Sequence, residues 1–325
     1  MSLELIKYGP SHFQKWDEFI RNSINGNFLH TRNFYDSNPA NENDDCSLLF
    51  LKKNKIIAAL PATMRDIGSE RILNSHSRST YGGVIIGTVV GMVEAVEIVR
   101  LIIEYARIND VTEIIIRNPF KILYNQISDE IDYALWYHNF LIKSREAEIY
   151  VDLTPEIAII KKRYENGTKY NIKKALKSIS VKVDENFENF WTILIKNLEG
   201  RYAKKPVHSL ADINLLRQKV GGANIILFAG FQEEVLVAGC IVFVFNNTIH
   251  AQYIAQDDAF QDVRPVNAVL DYIIDWGKEN GFKYFNLGTA NEGGKVMNEG
   301  LFHFKESFGG RAVLRETMNL NLKNE

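Results

Sequence analysis

The segment IILFAGFQEEVLVAGCIVFVFNNTIHAQYIAQ, residues 225–256, decides how this chain folds. Its runs 225–231 and 235–245 are apolar and rich in β-branched and aromatic side chains. Joined across Glu233-Glu234, they read as a hairpin. Asn246-Asn247 is a turn signal leading into a third strand, 249–256. Downstream, residues 265–280 carry Val266, Val269, Leu270, Ile273 and Ile274 on one stripe, with Asp271, Asp275 and Lys278 opposite. Such spacing predicts an amphipathic helix. Pro265 suits its first turn, where a missing N–H costs nothing, and Gly281 suits its stop. A fourth strand follows at 284–287.

The first half repeats this order. Residues 46–51 and 56–64 read as a hairpin around 52–55, and a strand region follows at 71–86. A helix at 92–109 places Met92, Val96, Val99, Ile103 and Ala106 on one face. A short strand, 113–117, ends at Pro119. Hairpin, strand, helix, strand, twice over, predicts an α/β (α+β) chain of two tandem domains, each a mixed, mostly antiparallel sheet flanked by helices. The halves join near Leu153-Thr154-Pro155, where Thr154 can cap a helix that Pro155 opens. The expected domains are 1–153 and 154–310. A last strand at 312–322 is a candidate to rejoin the first domain, as 311–325.

A length of 325 residues leaves room for two domains. With 46% hydrophobic and 24% charged residues, the composition is globular and excludes extended disorder. A net charge of -2 gives no global sign of a nucleic-acid or membrane partner, so any polyanion site must be local. Cys46 and Cys240 sit in or beside apolar runs of different halves and read as buried free thiols. No Cys/His spacing suggests a metal. No run approaches the ~18–20 apolar residues of a membrane span. Glu4 and Lys7 interrupt any leader-like apolar stretch. The expectation is a cytoplasmic protein without membrane insertion.

Two segments resemble the Fem-type peptidyltransferases and their GNAT-like relatives. One is Lys169-Tyr170-Asn171-Ile172-Lys173-Lys174-Ala175 with Lys177 after it, similar to the family's R-x-N-I-R-x-A-x-K helix. The other runs Tyr284-Phe285-Asn286-Leu287-Gly288 and then Gly300-Leu301-Phe302-His303-Phe304-Lys305-Glu306-Ser307-Phe308-Gly309-Gly310. It is similar to the family's D-F-G … G-L-x-x-F-K-x-x-F-G-G ending. The likeness covers most of the second half; the first half agrees in element order alone. It implies twin GNAT-like domains and transfer of an activated acyl group, such as aminoacyl from tRNA, to an amine of a cell-envelope precursor. In this chain Asn286 replaces the motif's aspartate and Leu287 its aromatic residue. Between Trp191 and residue 225 there is room for two ordinary helices, not for the long helical arm of some members.

Two rival functions remain at this level. One is an acyl-CoA-dependent N-acetyltransferase acting on an amino sugar or nucleotide sugar. Such enzymes carry a glycine-rich loop whose N–H groups, with a helix N-terminus, hold a pyrophosphate. Here that place, 257–265, has no glycine and three aspartates, which favours another donor. Tyr81-Gly82-Gly83 in the first half does not match the loop either. The other rival is a non-catalytic binding protein with the same fold; the intact F-K-x-x-F-G-G ending weighs against it.

The resemblance implies that Lys305 stabilises the oxyanion of acyl transfer, where a fixed cation helps the transition state more than the ground state. Tyr253, on the strand beside the expected reaction centre, is a second catalytic candidate. Lys161, Lys162, Arg163, Lys169, Lys173, Lys174 and Lys177 face one acid, Glu165, along a helix read as 161–177. Lys169, Lys173 and Lys177 at i,i+4 form a candidate phosphate-binding stripe, with Tyr170 beside it. Arg201 and Tyr202, read as loop residues, and Arg264 and Phe304 complete the candidate substrate contacts. The plain alternatives are a surface lysine, a core tyrosine and a solvated helix face. Asp257 and Asp258 are proton acceptors by position alone, and His303 is not assigned as a base. No tightly bound cofactor is expected. Aminoacyl-tRNA or acyl-CoA would be the co-substrate donor, and a phosphate-bearing envelope precursor and a tRNA acceptor end the partners.

Overall fold

The computed structural model describes residues 3–38, 41, 44–75, 78–202, 205–292 and 295–323. They form two compact units, Met1–Glu146 with Leu314–Glu325, and Ala147–Val313. The chain passes from one to the other within a single strand and returns within another.

The first unit contains β1 (Glu4–Lys7), α1 (Phe13–Arg21), α2 (Arg32–Tyr35), β2 (Leu48–Lys52), β3 (Lys55–Leu60), β4 (Ala62–Ile67), β5 (Glu70–Ser75), β6 (Ile85–Ile86), α3 (Met92–Ile108), β7 (Glu113–Ile116), α4 (Glu130–Tyr137) and the start of β8 (Leu141–Asp152). The region 56–64, read as one strand, is two. Pro61 has no N–H to give a ladder, and the chain leaves one sheet there for another. One sheet has the order β1-β2-β3-β6 and packs Leu49, Ala59 and Ile85 against Trp16 and Ile20 of α1. In the other, β5 and β7 are parallel, with Leu73 opposite Ile114, and α3 lies between them in sequence.

The second unit continues β8 and adds α5 (Ile157–Lys162), α6 (Asn166–Ala175), β9 (Ile179–Asp184), α7 (Phe187–Tyr202), α8 (Leu210–Val220), β10 (Ile225–Gln232), β11 (Val235–Val244), β12 (Thr248–Gln256), α9 (Pro265–Glu279), β13 (Tyr284–Thr289), α10 (Glu299–Glu306) and β14 (Arg311–Asn321). The end of β14 belongs to the first unit, where Met318 pairs with Ile116 of β7. The strand order in the second unit is β8-β13-β12-β11-β10-β9. All neighbours are antiparallel except β12 and β13, which α9 separates in sequence. The α9 stripe seen in the sequence packs Val266, Val269, Leu270 and Ile273 against Phe228, Cys240, Val242, Ile249 and Phe285. Cys46 and Cys240 are both buried and free. No described helix is long and apolar enough to cross a membrane.

On the opposite side of β11, α7 approaches so closely that only glycine fits. A Cβ on Gly239 would lie 2.7 Å from the Phe190 ring and 3.1 Å from the Phe228 carbonyl oxygen. Gly239→Ala is expected to destabilise the protein by about 1–3 kcal/mol, because neither a buried ring nor a strand backbone can yield freely. Urea unfolding of the two proteins measures it, and an unchanged midpoint would contradict this packing.

Candidate active site

Strands β12 and β13 run together for three residue pairs only: Thr248 with Tyr284, Ile249 with Phe285, and His250 with Asn286. Both then lose register with their outer neighbours. The β11–β12 ladder slips between Ile241 and Val242, which bulges Gln252. The β13–β8 ladder slips between Asn286 and Thr289. Bulges re-aim side chains and end pairing, so the two strands part at His250 and Asn286. Gly288 takes a positive φ of 78° in the second bulge, a conformation glycine adopts without strain.

Four buried polar side chains meet at this point: Glu148, His250, Asn286 and Lys305. Asn286 Oδ1 accepts the Gly288 N–H at 2.9 Å, which fixes the orientation of the amide. Its Nδ2 therefore donates, to Glu148 Oε2 at 3.1 Å and to His250 Nδ1 at 2.9 Å. With Nδ1 accepting, a neutral His250 ring carries its proton on Nε2. The departure from the family motif acquires a reason here. An aspartate at 286 would set a second carboxylate against Glu148 and would have no proton to give His250; asparagine keeps one buried acid.

Lys305 comes from α10, whose first turn is capped by the Asn298 side chain accepting from the Leu301 N–H. Its side chain is 5% exposed. Nζ donates to the Thr289 carbonyl at 2.6 Å, its one hydrogen bond among the described residues. A Cβ on Gly288 would lie 3.7 Å from Lys305 Nζ and 4.0 Å from Glu148 Oε2, so cation and acid flank the same glycine. Burial pushes the Lys305 ammonium down to about 8, and the Glu148 charge opposes that fall.

Tyr253 is buried, but its hydroxyl is engaged by a residue the sequence did not single out. It accepts the His208 N–H at 3.2 Å and lies 2.8 Å from His208 Nδ1. Trp191 meets its ring edge-on at 5.4 Å. Burial pushes the Tyr253 phenol up and the His208 imidazole down, so both stay neutral near pH 7.

The other candidates are not brought together. The helix read as 161–177 is two. Lys161, in the last turn of α5, binds Asp275 at 2.7 Å and Asp271 at 3.2 Å, both on α9. Lys177 lies in the turn after α6, so it does not continue the stripe. Lys169, Tyr170 and Lys173 share α6 and are exposed; Lys169 Nζ reaches the Lys162 carbonyl at 3.0 Å. Arg201 and Tyr202 are helical, in the last turn of α7 rather than in a loop, and their side chains lie outside the described residues. Arg264 is exposed, at the N-cap of α9 with a φ of 59°. Phe304 packs edge-on against Phe308 at 5.5 Å. Ahead of α9, a 3-10 turn, Asp258–Val263, packs Phe260 and Val263 against Ala175, Ile179, Val237 and Ala268. The Asp257 side chain caps this turn at the Ala259 N–H. Among the described residues no cluster of His, Cys, Asp and Glu is arranged to hold a metal ion.

Two measurements follow from this geometry. In Glu148→Gln the charge that supports the Lys305 ammonium is gone, so the lysine is expected to titrate below its wild-type value; NMR of labelled lysine side chains reads it directly. An unmoved titration would mean that the two groups do not sense each other. Tyr253→Phe leaves two His208 groups without their partner and is expected to cost about 1–3 kcal/mol in chemical denaturation.

Residues 167–306 match the family model described as an acetyltransferase (GNAT) domain. No curated protein matches the sequence. Among solved structures, FemX superposes with a TM-score of 0.71 at 12% identity, over 99% of this chain and 98% of its own. L-PGS from Bacillus licheniformis gives 0.59 at 16% identity, over 95% and 91%. A conserved protein of unknown function from Bacteroides thetaiotaomicron gives 0.58 at 11%, over 98% and 99%. The chain therefore has a GNAT-type acyltransferase fold, with an acetyltransferase domain match in its second unit and an overall architecture similar to that of FemX.

Proposed function

We propose that the protein is an acyltransferase that moves an activated acyl group, aminoacyl from tRNA, onto an amine of a phosphate-bearing cell-envelope precursor. The observation that carries the reading is the buried Lys305 ammonium where β12 and β13 part. The acceptor amine attacks the donor carbonyl, and negative charge gathers on its oxygen. Lys305 has one N–H on Thr289 and two more to offer, and burial strengthens what they give. Collapse of the tetrahedral intermediate breaks the bond to the leaving oxygen, which takes up the proton lost by the amine. Asn286 and Glu148 hold the lysine's surroundings in place. The exposed lysines of α6 suit the phosphates of the precursor or of tRNA.

A second reading, acetyl transfer from acetyl-CoA, draws on the description of the matched domain. Against it stands the turn before α9, which has no glycine and packs its own Phe260 and Val263 there.

The test is a transfer assay with aminoacyl-tRNA and with acetyl-CoA as donors and a UDP-linked muramyl peptide as acceptor, in wild type and Lys305→Ala. Turnover with aminoacyl-tRNA, falling about 10²–10³-fold in kcat in the variant with KM little changed, is the expected result. Since the cation is the active form, the rate should fall as pH rises through about 8. In Glu148→Gln that fall should move to lower pH. Turnover with acetyl-CoA alone would replace this reading with the second one.

A further inference from the structure

None of the residues that follow enters the acyl-transfer reading. Arg117 stands at the end of β7 in the first unit. There the Ile116–Met318 pairing sets it beside Thr317 of β14. Arg117 Nε donates to Thr317 Oγ1 at 2.9 Å, and Nη1 reaches the Thr80 carbonyl at 3.4 Å. Nη2 has no partner among the described residues. Two positions along β14, on the same face as Thr317, lies the buried Arg315, whose Nη2 pairs with Glu146 Oε2 at 2.7 Å.

The charges acting on Arg117 are unbalanced. It makes no ion pair among the described residues. Burial pushes its guanidinium down, Arg315 pushes it further, and Glu146, already engaged by Arg315, offsets only part of this. A half-buried guanidinium facing another one is a costly arrangement for a folded protein. Ser79, in the same turn as Thr80, adds a buried hydroxyl oxygen without a hydrogen-bond partner among the described residues. Unspent guanidinium N–H groups, a second guanidinium, and two hydroxyls are the donor set that phosphoryl oxygens take.

We propose that Arg117, with Thr317, Arg315 and Ser79, forms a binding site for a phosphoryl oxyanion in the first unit. The bound anion would neutralise the guanidinium pair and accept from Arg117 Nη2. The site does not depend on the acyl-transfer reading, because binding is measured without turnover.

The probe is inorganic pyrophosphate, titrated calorimetrically into the full-length protein, with acetate as a carboxylate arm. Wild type should bind pyrophosphate, and Arg117→Gln should weaken it by about 10-fold or more, as expected for loss of a charge-assisted contact. Thr317→Val keeps every charge and should weaken it less. The double variant Lys53→Gln/Lys55→Gln, at the exposed turn between β2 and β3, should bind as wild type does. Without ligand, Arg117→Gln should melt no lower than wild type, since the substitution removes a repulsion; this separates lost binding from lost folding. Absent binding by wild type, binding that survives Arg117→Gln, or loss in the Lys53→Gln/Lys55→Gln variant instead would overturn the site. Acetate binding as tightly as pyrophosphate would overturn its phosphoryl character.

Discussion

The amide of Asn286 holds the candidate site together. One carbonyl oxygen and one amino group, fixed by the Gly288 N–H, organise a buried acid, an imidazole and the glycine beside a buried ammonium. The side chain can do this because β13 has just left β12 and is about to bulge from β8. Regular pairing on both sides would leave no room for an ammonium between strands. The parting of the strands and the chemistry at their parting are thus one feature: broken ladders supply the space and the loose carbonyl, Thr289, that the lysine takes. The sheet around it is packed on both faces. The α9 stripe clamps one face of the sheet, and α7 lies against the other so closely that Gly239 has no alternative.

Much of this frame is legible in the sequence. Strands β10 to β12 and helix α9 announce themselves by apolar runs, turn residues and a clean period. Their register is local, so nothing distant is needed to read it. The strand read through 56–64 fails at Pro61, a signal that was present and outweighed by the apolar run around it. Strand β8 hides for a different reason. Its sequence, LIKSREAEIYVD, is apolar at both ends and charged in the middle, with exposed Leu141 and Ile142 but buried Glu148 and Ile149. Its environment changes along its length, so no single period describes it. The edge strand β9 buries little beyond Ile179 and leaves a similarly faint trace.

The site divides along the same line. Lys305 sits in a motif of fixed spacing, and its position could be named from the chain alone. Glu148 could not, because its meaning comes from Asn286, 138 residues away. His208 lies two residues after Pro206 in the connection before α8 and acquires its role from Tyr253, 45 residues on. The basic run of 161–177 shows the converse. Composition groups Lys161 with Lys169, yet α9 supplies two acids that claim Lys161 and leave only the later lysines to solvent. Charge counts along a chain say nothing about which charges are already spent.

The pairing of β14 with β7 has a consequence for how the protein comes into being. Thr317 reaches back to Arg117, 200 residues earlier. At about 5–20 residues per second, a ribosome leaves β7 waiting roughly 10–40 s for its partner. During that interval one edge of β7 is an unpaired ladder, the kind of surface that pairs with other chains. The first unit is begun early and closed only once β14 emerges, and until then that edge stays open to pairing with other chains.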